Sequence, residues 1–135
     1  MIKLIIGNKG SGKTKILIDI INQSLNTSEG NVVVLDKTTK LRYDVKPSAR
    51  LVDVDAYKIE GHDAFYGMVC GILAGNYDIT DICVDSILKI VGRDYDKLGE
   101  MFDKIEAVAN ENKVNVTFTV SADISELPES VKKYA

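Results

Sequence analysis

The chain has 135 residues, of which 45% are hydrophobic and 27% charged, with a formal net charge of −3. Residues 1–135 suit a single domain with a core of its own, and no low-complexity tract, repeat or linker divides them. The acidic balance gives no support for a broad nucleic-acid surface, and no apolar run reaches the length of a signal peptide or membrane span, so a cytoplasmic protein is expected.

The first predicted element is an apolar strand, IKLII, that halts at Gly7, and residues 7–14 then read GNKGSGKT. Glycines at these positions let the backbone take positive φ angles and pass close to phosphates. The N–H groups from Gly7 through Asn8, Lys9, Gly10, Ser11 and Gly12 would turn inward as an anion nest. Lys13 would reach the β- and γ-phosphates, the Thr14 hydroxyl would ligate Mg²⁺, and Lys15 completes the expected nucleotide-binding stretch. A helix starting near Gly12 adds the positive end of its dipole. The pattern carries meaning only between a strand and a helix, and TKILIDIINQSL supplies that helix, with Ile16 and Ile20, Leu17 and Ile21, and Ile18 and Leu25 at helical spacing.

NVVVLD (31–36) reads as a strand covered on both faces. LRYDV (41–45) suggests a short strand and RLVDVDAY (50–57) another. Residues 61–76 are apolar nearly all round, so a buried helix is expected there. Gly67, Gly71 and Gly75 form a stripe along it that would allow close approach, by internal packing first and across a homodimer face as the alternative. DITDICVDS (78–86) reads as a strand ending at Asp85. Residues 93–112 place Leu98, Met101, Phe102, Ile105 and Val108 on one helical face. KVNVTFTVS (113–121) alternates as a strand ending at Ser121, and a short helix follows Pro128.

Strands and helices alternate, which predicts an α/β fold of three layers: a mostly parallel sheet of about five strands with helices on both faces. Ligands of such sheets bind at the carboxyl ends of the strands. Gly7, Asp36, Asp85 and Ser121 all fall at such ends. Asp36 and Asp85 compete as the carboxylate on the metal side. Asp85 is preferred, because that carboxylate usually follows the loop with another strand between.

GNKGSGKT, the downstream ICVDS and a strand ending in Ser121 together resemble the P-loop NTPase superfamily, in its RecA-like and AAA+ branch of additional-strand enzymes. The chain is also similar to short bacterial ATP-binding proteins loosely labelled twitching-motility ATPases, although the further domain and motifs of true pilus-retraction ATPases are not seen. The resemblance implies ATP as ligand or substrate and Mg²⁺ as cofactor. It assigns Lys13 to the phosphates, Thr14 and Asp85 to the metal, and Ser121 to a polar sensor near the γ-phosphate, so that Lys13 and Ser121 are the catalytic candidates. Ser86 stands where that branch usually has a water-polarising glutamate. Asp53, Asp55, Glu60 and Asp123 are candidates to replace it, each also readable as a solvated loop charge. His62 reads as a helix-start residue or a phosphate-orienting group, and Arg93 as a solvated helix start or an arginine finger for a neighbouring subunit. Cys70 and Cys83 read as buried, reduced thiols. The expected function is Mg²⁺-dependent ATP binding with weak or partner-dependent hydrolysis. A nucleotide-dependent interaction module without turnover, and a small-molecule or nucleotide kinase, are the alternatives. The expected partners are nucleotide and a protein, which includes a second copy of the chain.

Overall fold

A computed structural model describes residues 1–38 and 40–135. Five strands, β1 (Ile2–Gly7), β2 (Asn31–Asp36), β3 (Arg50–Asp53), β4 (Ile79–Val84) and β5 (Asn115–Ser121), form one sheet in the order β1-β5-β4-β2-β3. Every pairing in it is parallel. The helices are α1 (Lys13–Thr27), α2 (His62–Gly75), α3 (Ile87–Val91), α4 (Tyr95–Asn112) and α5 (Glu129–Lys132). The fold is the expected three-layer α/β arrangement.

Strand alternation divides the core between the two faces. Val32, Val34 and Cys83 point to one side, where Leu17 and Ile21 of α1 cover them together with Leu41 and Val45. Val33, Leu35, Ile82, Val84, Val116 and Phe118 point to the other, against Phe65, Val69 and Leu73 of α2 and Leu98, Phe102 and Ile105 of α4. The Phe118 ring lies 4.9 Å from that of Phe102 and 6.2 Å from that of Phe65, in tilted contacts that favour aromatic pairs. Both faces are therefore apolar, as the unbroken VVVL of β2 requires.

The structure departs from expectation in four places. LRYDV forms no strand: Lys40–Tyr43 is a short 3-10 turn. Leu41 and Val45 are four residues apart and both buried, a helical spacing, and the Val45 N–H donates to the Leu41 carbonyl at 3.0 Å. The strand predicted over 50–57 stops at Asp53, whose carboxylate accepts the Asp55 N–H at 3.0 Å and caps a second 3-10 turn, Val54–Tyr57. The five-residue α3 was not foreseen. The fourth departure is α2, which is not buried all round: only Phe65, Val69 and Leu73 are buried. Ala64, Gly67, Gly71, Ala74 and Gly75 face outward. A Cβ placed on Gly67, Gly71 or Gly75 would meet nothing within 4 Å, so the glycine stripe serves no internal packing.

β1 lies at the edge of the sheet. Its outward N–H groups are nevertheless occupied: Ile2 donates to Glu106 Oε2 at 2.6 Å and Leu4 to the Tyr134 carbonyl at 2.9 Å. Covering an edge in this way blocks further strand pairing. Among the described residues no helix is long and apolar enough to cross a membrane.

Candidate phosphate-binding site

The register of the sheet builds the site. Gly7 ends β1 directly opposite Ser121, which ends β5. β5 in turn separates β1 from β4, whose last residue precedes Asp85. One strand thus lies between the loop and Asp85, and two between the loop and Asp36.

The loop turns tightly between β1 and α1. The Ser11 N–H donates to the Asn8 carbonyl at 3.1 Å, and Gly10 and Gly12 take φ of 84° and 87°. Both values lie in the left-handed region, where a side chain is strained. At Gly7 the constraint is space, since a Cβ would run into the Ser11 side chain. No side chain caps α1. Its first-turn N–H groups and its positive dipole end are thus left for an anion.

Lys13 is only 8% exposed, and its ammonium donates to the Asn8 carbonyl at 3.0 Å. Burial pushes its pKa below the ordinary lysine value, while the negative charge of Asp85 pulls it back up. The Thr14 hydroxyl lies 3.4 and 3.3 Å from the two carboxylate oxygens of the buried Asp85. On its other side, Asp85 accepts from the Thr119 hydroxyl at 2.5 Å. The Thr119 oxygen also accepts the Ser86 N–H at 2.7 Å. Ser86 has φ of 57°, a left-handed conformation unusual for a residue with a Cβ, so this bond pins a strained turn at the start of α3.

Asp36 ends β2, one strand beyond β4, and is 5% exposed. Its carboxylate accepts from the Thr38 hydroxyl at 3.1 Å. Burial raises its pKa above the ordinary aspartate value; the Thr38 bond opposes this and the nearby Asp85 charge adds to it.

A cavity of about 770 Å³ opens over these strand ends, lined in part by Asn8, Lys9, Gly10, Gly12, Lys13 and Thr14 of the loop and by Ser86 and Ser121. Lys15 lies exposed on α1, outside that lining. Leu88, Lys89, Arg93, Ala122 and Glu126 complete the wall, and of these the sequence had singled out only Arg93. The proposed replacements for the missing glutamate are not among the lining residues. Asp53 and Asp123 cap 3-10 turns with their carboxylates, and Glu60 lines a separate cavity of about 420 Å³. His62 lines that second cavity too, and its Nε2 is buried without a hydrogen-bond partner among the described residues.

The donors at the loop suit a hard cation. A hydroxyl and a carboxylate offer oxygen ligands to Mg²⁺, which usually takes one or two protein oxygens and completes its shell with phosphate and water. Among the described residues no group of three or more His, Cys, Asp or Glu side chains is placed to cage a metal by itself. A metal here would therefore share its coordination with the ligand. No family model and no curated protein matches this chain.

Proposed function

We propose that this protein binds ATP with Mg²⁺ in the loop cavity and hydrolyses it slowly, or only when a partner completes the site. The observation that carries the reading is the Thr14 hydroxyl set against both oxygens of Asp85, beside the nearly buried Lys13. Lysine, loop N–H groups and an uncapped helix start make a cradle for a phosphate chain. The strand order, with β5 between β1 and β4, supports membership of the additional-strand branch of P-loop NTPases.

In this reading Lys13 exchanges the Asn8 carbonyl for phosphate oxygens, and charge-assisted contacts of that kind are the stronger ones. Thr14 and Asp85 hold the metal side, and Thr119 holds Asp85. Bound Mg²⁺ would supply charge neutralisation at the phosphate oxygens. Hydrolysis also needs a group that orients water. Ser86 has no carboxylate to offer, and its backbone is tied to Thr119. Glu126 is the carboxylate on the cavity wall, and Asp36, which burial makes a stronger base than an ordinary aspartate, lies outside that wall at the end of β2. The same shortage favours a second reading, a module that binds ATP and changes partner affinity without useful turnover. A cytoplasmic location accords with both readings, and Cys70 and Cys83 are free thiols.

Isothermal calorimetry with Mg·ATP tests the site. Lys13→Ala should abolish binding or weaken it severely in a protein that still melts cooperatively, and Asp85→Asn should reduce the dependence on Mg²⁺. Unchanged affinity in the Lys13 variant would remove the phosphate-site reading.

A further inference from the structure

The loop cavity gathers positive charge against the balance of the chain. Acidic residues outnumber basic ones 20 to 17 overall. Yet Lys9, Lys13, Lys89 and Arg93 line this cavity, with Glu126 the one carboxylate among its lining residues. Two of these cations lie outside the phosphate loop: Lys89 on α3, and Arg93 on the turn into α4. Both are exposed, and among the described residues neither has a carboxylate within ion-pair distance.

Neutral partners aim Arg93. Its Nη1 donates to the Tyr95 hydroxyl at 3.1 Å and its Nη2 to the Ser121 carbonyl at 3.2 Å. Ser121 faces Gly7 across the β1–β5 pairing, so this second bond brings the guanidinium to the strand ends beside the loop. A guanidinium has five N–H donors, and the two bonds leave donors over for an anion. Position along the cavity then selects the anion. Thr14 and Asp85 mark the metal side, where the β- and γ-phosphates share a cation. Ser86, Lys89 and Arg93 line the cavity on the β4–β5 side, next to Thr14 and the strand end of Asp85, so in this reading the phosphate nearest to them is the last one.

We infer that Arg93, assisted by Lys89, reads the terminal phosphate from within the same chain and sets the preference for a nucleoside triphosphate over a diphosphate. The inference rests on the Mg·ATP reading of the loop. It departs from both sequence-based options for Arg93, since the side chain lines its own cavity and is not merely solvated. It also gives the nucleotide state a route outward. Arg93 adjoins Asp94, whose carboxylate caps α4 by accepting the Lys97 N–H at 3.1 Å. A phosphate held by the donors left over would therefore be felt at the start of that helix.

The test is calorimetry at fixed Mg²⁺ with ADP and with a non-hydrolysable ATP analogue, on wild type, Arg93→Ala, Arg93→Gln and Lys89→Ala, each checked by thermal melting. Gln keeps an N–H donor for the Ser121 carbonyl but no charge, which separates a structural role from a phosphate-reading one. Wild type should bind the triphosphate more tightly than ADP. Arg93→Ala and Arg93→Gln should weaken analogue binding about 10- to 100-fold while ADP changes by about twofold or less, as expected for loss of a charged hydrogen bond to one group only. Lys89→Ala should show a smaller loss of the same selectivity. Equal losses for both ligands, or no loss for the analogue, would overturn the inference and leave the ATP site standing. Failure of wild type to bind either nucleotide would remove the ATP reading, and this inference with it.

Discussion

The hydroxyl of Thr119 joins two residues that lie on a different strand end, donating to Asp85 and accepting from the Ser86 N–H. It thereby fixes the Asp85 carboxylate and holds a left-handed serine in place. Thr119→Val keeps the shape and removes the hydroxyl, which costs Asp85 Oδ1 its shorter hydrogen bond and the Ser86 N–H its partner, about 1–3 kcal/mol together. The variant should melt lower and bind Mg·ATP with a weaker Mg²⁺ dependence, and Thr119→Ser should restore both. Thermal melts and metal titrations give the answer, and a Val variant indistinguishable from wild type would show that Thr119 does not position the site. Asp36 yields a second prediction, with the sign set by burial. Its pKa is raised in the folded chain, so the folded state keeps a proton that the unfolded state releases above the ordinary aspartate value. This contribution to stability is present below that value and is lost as pH rises through the raised one. Asp36→Asn cannot ionise, so it should gain on wild type as pH rises from about 4 upward. Denaturant melts across that range would refute the assignment if the difference were flat or reversed.

Among the elements, α2 carries the most unusual composition for its place. Gly67, Gly71 and Gly75 occupy exposed helical positions with open space where a Cβ would go. Glycine in a helix interior is less stable than alanine by about 0.5–1 kcal/mol, and no internal contact offsets that here. Gly71→Ala should therefore raise the midpoint of thermal unfolding; a lower midpoint would mean that the stripe is covered after all. The same helix shows where sequence reading stops. Gly and Ala count as apolar, yet they bury little area, so 61–76 reads as buried all round while Phe65, Val69 and Leu73 are buried and Tyr66, Met68 and Ile72 pack only in part against the core. α1, α4 and β5 were legible because each carries a single periodicity bounded by turn residues, and β2 because its β-branched run is unbroken. ILKIV of α3 spans only five residues, too few to show any period. LRYDV has strand-like residue types, but the burial of Leu41 with Val45 decides its shape, and that depends on the distant α1 side of the core. The site divides in the same way. Loop, Asp85 and Ser121 were readable from motif and strand ends. Thr119 was not, because threonine is an ordinary strand residue and only the β4–β5 pairing brings it to Asp85. Glu126 and Lys89 gave no local signal at all.

At the scale of the whole molecule, the cradle and the machinery for turnover separate. Loop residues, Lys13, Thr14 and Arg93 line one cavity, with Asp85 buried behind Thr14, while no glutamate follows the strand-end aspartate. Loss of a water-orienting or charge-stabilising group commonly lowers a rate by about 10²–10³ or more. The isolated protein should release phosphate from saturating Mg·ATP far more slowly than about one per second, with Lys13→Ala as the control for contamination. Faster turnover, absent in that control, would show that Asp36 or Glu126 already serves as a competent water-orienting group. The edge position of β1 has a consequence for the moment at which the site comes into being. Its one sheet neighbour among the described residues is β5, and Ile2 pairs with Val116. A ribosome makes GNKGSGKT well before β5, and the strand that anchors this loop has no sheet neighbour among the described residues until β5 has emerged. Asp85 likewise waits for Thr119. Copies still short of β5 should consequently hold no phosphate chain at the loop, and the site forms only once β5 has paired with β1.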